Sequence, residues 1–261
     1  RYLPANAEPG TKPVLIAPRL EDELYSVEHA GDYFYIHTNT GDAVDFKIMR
    51  APASDPAREN WEEWLPQAAG TYVSDFVTFK DRLVRLEREN ALPRIVVSDY
   101  AQEDVYAIDF DGAAYHLGLL PGYEFDTANL RFRYESPATP GQVFDFDMAS
   151  RERNLRKTQE VPTGHDPELY AVERFFITAD DGAEVPVTVL RLESTPVDGT
   201  APLLLYGYGS YGLTMPASFN ASILSLVDRG VVYAVAHIRG GSAKGRQWYL
   251  DGKLDKKKNS F

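Results

Sequence analysis

The sequence predicts the last blades of a β-propeller over residues 1–165 and the start of an α/β domain over residues 166–261. Short β-rich runs recur with a period of about 50 residues, and the final part has a strand–helix–strand pattern with continuous apolar strands. With 261 residues, of which 44% are hydrophobic, the chain can bury a sizeable core.

The propeller prediction depends on two strands that recur in the same register. The first is found at Asp32–His37, Asp81–Leu86 and Asn129–Tyr134, at intervals of 49 and 48 residues. The second is found at 45–49, 94–97 and 142–146. A third strand, Val105–Phe110, follows in one unit.

Units of this length with three or four strands are typical of propeller blades, each a small sheet that packs against its neighbours. A β-sandwich, whose strands follow one another at about 8–12 residues, is the alternative. The repeated two-strand register favours the propeller. Because three blades cannot close a ring, we expect further blades before Arg1.

A hairpin is predicted after the repeats. Asp181-Gly182 separates the β-rich runs Glu173–Thr178 and Val185–Leu190, and Asp-Gly between such runs is a strong hairpin signal. Pro186 has no backbone N–H to donate, so its strand is expected at a sheet edge or with a bulge.

A parallel sheet is predicted to begin at Leu203–Tyr206, an apolar run typical of a buried strand. A helix follows and ends at Gly230, a residue suited to the left-handed cap position. Val231–Ala236 is a second apolar run, so a strand–helix–strand unit is expected. The apolar face of the helix contains Phe219, Ile223, Leu224, Leu226 and Val227.

The composition excludes several classes of function. The net charge of −12 argues against binding to nucleic acid or anionic membranes, although it suits cationic substrates as well as simple solubility. Lysines 253, 256, 257 and 258 are expected to form a solvated face. There is no cysteine, so thiol catalysis and disulfides are excluded within this chain. No histidine pair has metal-ligand spacing and no phosphate-binding loop is present, so we expect no metal and no cofactor.

Tyr206–Gly212 follows the first predicted parallel strand, at the end of the sheet where α/β proteins place catalytic groups. Its glycines would allow backbone to approach a ligand closely, and a tyrosine hydroxyl there could donate to an oxyanion. A glycine-rich turn with packed aromatic rings explains the same residues. Composition alone favours this structural interpretation.

Ser242 follows the second strand and partly fits the nucleophile-elbow pattern Gly-x-Ser-x-Gly. Gly240 supplies the first glycine, but Lys244 occupies the last glycine position, where the tight turn needs a small residue. Ser242 is therefore a poor candidate for a nucleophile. His237, at the end of the same strand, is expected to be a hydrogen-bonded core residue.

The last part of the chain contains a string of motifs in a fixed order: Tyr206–Gly212, Leu226–Gly230, His237–Gly241, Trp248-Tyr249, Gly252-Lys253 and Lys257–Phe261. In order and gaps this string resembles the prolyl oligopeptidase family of serine peptidases, and within it oligopeptidase B. The resemblance is strong over residues 150–261 and looser over the blades. One departure is Ser242-Ala243, where the family usually has Gly or Ser followed by Glu.

The resemblance implies a seven-bladed propeller that covers an α/β-hydrolase domain with a Ser-Asp-His triad. The family cleaves short peptides, and oligopeptidase B cleaves after Arg or Lys, which implies basic peptides as partners. The second tyrosine of the Tyr-Gly-Tyr-Gly motif, Tyr208, would donate its hydroxyl to the oxyanion. The triad would lie beyond Phe261, so we expect the isolated chain to be inactive and poorly soluble.

Two other functions stay open at this point. One is a non-catalytic propeller scaffold that binds peptides or proteins. The other is a different α/β hydrolase, such as a dipeptidyl peptidase or an esterase. We expect a cytoplasmic location, with the periplasm as the alternative.

Overall fold

The computed structural model describes all residues from Arg1 to Phe261. Sixteen strands form four four-stranded sheets. The first sheet contains β1 (Tyr25–Ala30), β2 (Tyr33–Thr38), β3 (Lys47–Pro52) and β4 (Glu62–Leu65). The second contains β5 (Thr71–Thr78), β6 (Leu83–Glu89), β7 (Leu92–Ser98) and β8 (Val105–Ala107). The third contains β9 (His116–Leu119), β10 (Asn129–Glu135), β11 (Gln142–Asp147) and β12 (Arg153–Thr158).

The first three sheets are antiparallel meanders of consecutive strands, as expected for propeller blades. A sandwich would exchange strands between its two sheets, and no strand is exchanged here. The two recurrent strands of the sequence are confirmed as the second and third strands of each blade. The first strands β1, β5 and β9 were missed, because β1 and β5 carry interspersed polar residues and β9 has only four residues.

Each blade packs its faces against the next blade. Tyr35, Ile48 and Trp64 of the first blade form one buried cluster with Phe76 and Leu83 of the second. The largest cluster joins the second blade to the third, and burying side chains of this size contributes about 1.5–3 kcal/mol each. Its buried members are Phe79, Val84, Ile95, Val97, Ile108, Leu117, Leu130, Phe132, Phe146 and Met148.

The fourth sheet follows the change of pattern predicted after residue 165. Its strands are β13 (Tyr170–Thr178), β14 (Glu184–Leu192), β15 (Leu203–Gly207) and β16 (Val232–Ala236), in the order β13-β14-β16-β15. β13 and β14 form the predicted hairpin. β15 and β16 are parallel, as predicted, and α1 (Ala221–Val227) connects them. A second short helix, α2 (Arg246–Leu250), follows β16.

α1 has the expected end signals. The Asn220 side chain accepts a hydrogen bond from Ser222 N at 2.9 Å, and Gly230 has the predicted positive φ of 84°. The helix buries Leu224 and Val227 against β14. Phe219 belongs to the same cluster but lies before the helix begins.

Leu203–Tyr206 forms the predicted strand, but it is not buried within this chain. β15 is the edge strand of its sheet, and Leu203, Leu204 and Leu205 are 61%, 40% and 61% exposed. Leu203, Leu205, Phe175 and Ile177 line an open apolar cavity on one face of the sheet, which residues 259–261 also border. An apolar run therefore indicated a strand correctly, but its burial depends on groups outside the run.

The inference drawn from Pro186 is also wrong, because β14 is an inner strand and its pairing with β13 is regular. Pro186 lies where the pairing of β14 with β16 ends. His237 N donates to Pro186 O at 2.9 Å. Proline has no N–H to donate back to His237 O. The indole Nε1 of Trp248 donates to His237 O instead, at 3.0 Å.

None of the helices has the length and apolar character needed to cross a membrane.

Candidate functional site

The loops that follow the two parallel strands lie side by side. Because parallel strands end at the same edge of a sheet, residues 208–213 after β15 meet residues 237–245 after β16. Gly212 N donates to Gly240 O at 3.0 Å, and Gly212 forms an isolated bridge with Gly241. The two glycine-rich motifs are thus brought together at one edge.

The glycines of these loops allow backbone to contact backbone. A Cβ on Gly209 would lie 2.3 Å from Arg239 O, and one on Gly240 would lie 2.2 Å from Gly209 O. Gly252 is equally constrained, since its Cβ would lie 2.2 Å from Gly240 N. Close packing between the loops therefore explains these glycines, in agreement with the structural interpretation of the sequence.

The carboxy-terminal motif holds the loops in place. Lys257 Nζ donates to Gly209 O and, at 3.0 Å, to Ser210 Oγ. Ser260 Oγ donates to Arg239 O at 2.7 Å. The expectation of a solvated lysine face is wrong for Lys257, because its ammonium group reaches the carbonyl oxygen of a packed loop.

Tyr208 is the first residue after β15, and its side chain is partly exposed. The hydroxyls of Tyr25, Tyr106 and Tyr170 bond to groups of the chain, whereas the Tyr208 hydroxyl has no intramolecular partner. The packed glycines and Lys257 fix the backbone that follows it. Tyr208 thus presents a free donor from a constrained position at the carboxyl end of the sheet.

Ser242 has no base beside it. It is buried in the loop between β16 and α2, where its Oγ lies against Gly212. The nearest candidate base in sequence, His237, instead forms a 2.8 Å hydrogen bond between its Nε2 and Thr188 Oγ1. Lys244, at the last position of the elbow pattern, is exposed and donates to Glu184 O. This arrangement does not form a nucleophile elbow.

His237 has the hydrogen bonds of a core residue at its Nε2, its backbone N and its backbone O. Burial, and then the positive charges of Arg88 and Arg174, lower the pKa of its imidazole to about 4. His237 is therefore neutral near pH 7. Arg88 comes from β6 of the second blade and Arg174 from β13, so His237 lies where the blades meet the fourth sheet.

Two contacts across this junction were missed by the sequence analysis, because they join residues far apart in the chain. Arg174 donates to Asn90 O of the second blade. Asp45, just before β3, accepts a 2.5 Å hydrogen bond from Arg246 N at the start of α2. Gly245 makes room for it, since a Cβ there would lie 2.4 Å from the Asp45 carboxylate. No local pattern could have indicated such pairs.

The chain matches two sequence models of one family. The model described as the N-terminal β-propeller domain of prolyl oligopeptidase matches residues 1–159, and that of the prolyl oligopeptidase family matches residues 217–261.

Two curated relatives and one solved structure illustrate the similarity. Dipeptidyl aminopeptidase BI of Pseudoxanthomonas mexicana is 42% identical over 100% of this chain and 36% of its own length. Protease 2 of Moraxella lacunata is 34% identical over 95% of this chain and 35% of its own length. The structure of oligopeptidase B from Leishmania major has a TM-score of 0.91 and 30% identity, covering 98% of this chain and 37% of that one.

The chain thus spans about a third of the length of the relatives it matches. The blades, the parallel strands and the motifs at their carboxyl ends agree with these matches. The chain belongs to the prolyl oligopeptidase family, contributing propeller blades and the beginning of the hydrolase domain.

Proposed function

We propose that the whole protein is a serine peptidase that hydrolyses short peptides after Arg or Lys, with the propeller excluding large folded substrates. The observation that carries the proposal is Tyr208, which holds a free hydroxyl at the carboxyl end of a parallel strand. The membership of the chain in a family whose relatives include Protease 2 supports it. We also propose a cytoplasmic location, which cell fractionation would test.

In this mechanism a serine attacks the peptide carbonyl and charge develops on the carbonyl oxygen. The Tyr208 hydroxyl donates to that oxygen and stabilises the transition state. The loop packing around Gly209 and Gly240 holds the donor before the substrate arrives, so little reorganisation is needed during the reaction. The serine, aspartate and histidine would come from sequence beyond Phe261, and the chain on its own would then be inactive.

The first prediction concerns Tyr208→Phe, which removes the donor and keeps the ring. In the whole enzyme, kcat on a short Arg-linked reporter peptide should fall by about 10²–10³-fold, while KM changes little, because the bond forms mainly in the transition state. Tyr211→Phe is the matched control, since Tyr211 lies in the same loop and is 84% exposed. A fall of less than about threefold for Tyr208→Phe would refute the oxyanion role.

A second candidate function is the release of dipeptides, which the 42% identity to Dipeptidyl aminopeptidase BI favours. Reporter peptides with free and with acetylated amino termini would separate the two activities. An endopeptidase cleaves both, whereas an enzyme that releases dipeptides needs the free amino group. Cleavage after Ala or Pro in place of Arg or Lys would remove the basic preference from the proposal.

A further inference from the structure

A small cavity lies where the second and third blades meet the fourth sheet. Its volume is about 20 Å³, which accommodates one species of about the size of a water molecule. Arg88, His116, Arg174 and His237 line it, and none of its 13 lining residues is Asp or Glu. The cavity is therefore a basic site in a protein with 39 acidic and 27 basic residues.

The two arginines have no carboxylate partner. Arginines elsewhere in the blades do, as in the pairs Arg85–Glu87 at 2.7 Å and Arg131–Asp145 at 2.6 Å. Arg174 donates to the carbonyl oxygen of Asn90, whereas no group of the chain accepts a hydrogen bond from the Arg88 side chain. Burial lowers the pKa of both guanidinium groups, but arginine stays charged in proteins.

Three acids close to the cavity's lining residues in space or in sequence are already engaged. Glu135, whose charge lies near His116, is bonded to Arg133 at 3.2 Å. Glu87 and Glu89, on the same strand as Arg88, are bonded to Arg94. Both guanidinium groups line the same cavity and lose part of their hydration through burial, which costs stability unless an anion compensates them.

We propose that this cavity binds one small inorganic anion of about the size of chloride, which bridges Arg88 of the second blade to Arg174 of the fourth sheet. Arginine is suited to such a contact, because its planar guanidinium offers several donors to one anion. The small volume favours a monatomic anion over a carboxylate, which has three heavy atoms. The anion thus joins the second blade to the fourth sheet. Its binding does not depend on the peptidase proposal.

Thermal unfolding of the purified whole protein in sodium chloride, compared with sodium gluconate of equal ionic strength, tests the proposal. Each tenfold rise in chloride above its dissociation constant should raise Tm by about 1 °C for a protein about three times as long as this chain, since only the folded junction binds the ion. Arg88→Gln and Arg174→Gln should each abolish the difference between the two salts. Sodium acetate should act like gluconate if the cavity excludes carboxylates.

The control is Arg50→Gln, which removes one positive charge from a surface pair with Glu62 and should leave the chloride effect intact. If an arginine variant does not fold, crystals of the unmodified protein grown in sodium bromide provide the second measurement. They should show an anomalous peak between Arg88 and Arg174. An empty cavity at saturating bromide, or a chloride effect that survives in both arginine variants, would overturn the proposal.

Discussion

His237 shows how one side chain can link the sheet to the blades. Its backbone completes the pairing that Pro186 leaves unfinished, and its imidazole is bonded to Thr188 while facing two arginines. The sequence predicted a satisfied core histidine, which holds for its backbone and its Nε2 but not for its buried Nδ1, which has no hydrogen-bond partner. The arginines could not be predicted, because they come from strands that only the tertiary fold brings together.

The low pKa of His237 predicts a pH dependence of stability. The folded state binds the proton only near pH 4, whereas the unfolded state binds it near pH 6.5. The contribution of the neutral imidazole to the free energy of unfolding is therefore complete above pH 6.5. It is lost as pH falls towards 4, and the free energy of unfolding then changes by at most about 1.4 kcal/mol per pH unit. Denaturant unfolding at several pH values, in gluconate buffer without chloride, measures it.

His237→Gln should flatten this part of the stability curve, because the variant has no group to protonate. His29→Gln is the control, since His29 is exposed in β1, and it should keep the slope of the unmodified protein. Equal slopes for the His237→Gln variant and the unmodified protein would show that the imidazole does not carry this dependence.

At the scale of elements, the sequence predicted which segments form strands better than it predicted their surroundings. The repeated register identified the inner strands of all three blades, because inner blade strands are apolar at regular positions. The placing of Pro186 was wrong and β15 is not buried within this chain, since both depend on which strand forms the edge of the sheet. That choice is made by tertiary contacts and leaves no local mark.

The loops after β15 and β16 pack against each other, and a substitution at Gly209 tests this contact. Gly209→Ala places a methyl group 2.3 Å from Arg239 O and 2.8 Å from Ile238 Cγ1. One of the loops must then move, which should lower the free energy of unfolding by roughly 1–3 kcal/mol. Denaturant unfolding provides the measurement.

Gly118→Ala in β9 is the matched control, because a Cβ there meets no heavy atom within 4 Å. It should be neutral or slightly stabilising, as alanine restricts the unfolded chain more than glycine does. If both variants lose the same stability, backbone flexibility and not the close loop contact would explain the effect at Gly209.

For the molecule as a whole, the sequence indicated the order of its two parts but not how they are joined. The change of pattern after residue 165 predicted the passage from blades to an α/β sheet. The contacts that fix one part on the other involve Asp45, Asn90 and Arg174, which are ordinary loop and strand residues in the sequence. Their partners depend on how the blades are placed, so pattern alone could not reveal them.

Asp45 provides a test of this junction, because its carboxylate binds the start of α2 from the first blade. The contact is partly buried, and burial raises the pKa of that carboxyl. Asp45→Ala should therefore leave Arg246 N without its acceptor and cost about 1–2 kcal/mol. Hydrogen exchange of the amides in α2 should then become roughly tenfold faster, which corresponds to about 1.4 kcal/mol of local stability.

Two further variants show whether the carboxylate itself carries the effect. Asp45→Asn keeps an oxygen acceptor in the same place and should preserve most of the protection of α2. Asp55→Ala removes an exposed carboxylate of the first blade and should change nothing in α2. The junction contact would be disproved if α2 kept its protection in Asp45→Ala. A helix of five residues has too few internal hydrogen bonds to be stable alone, so its protection reports directly on what holds it against the first blade.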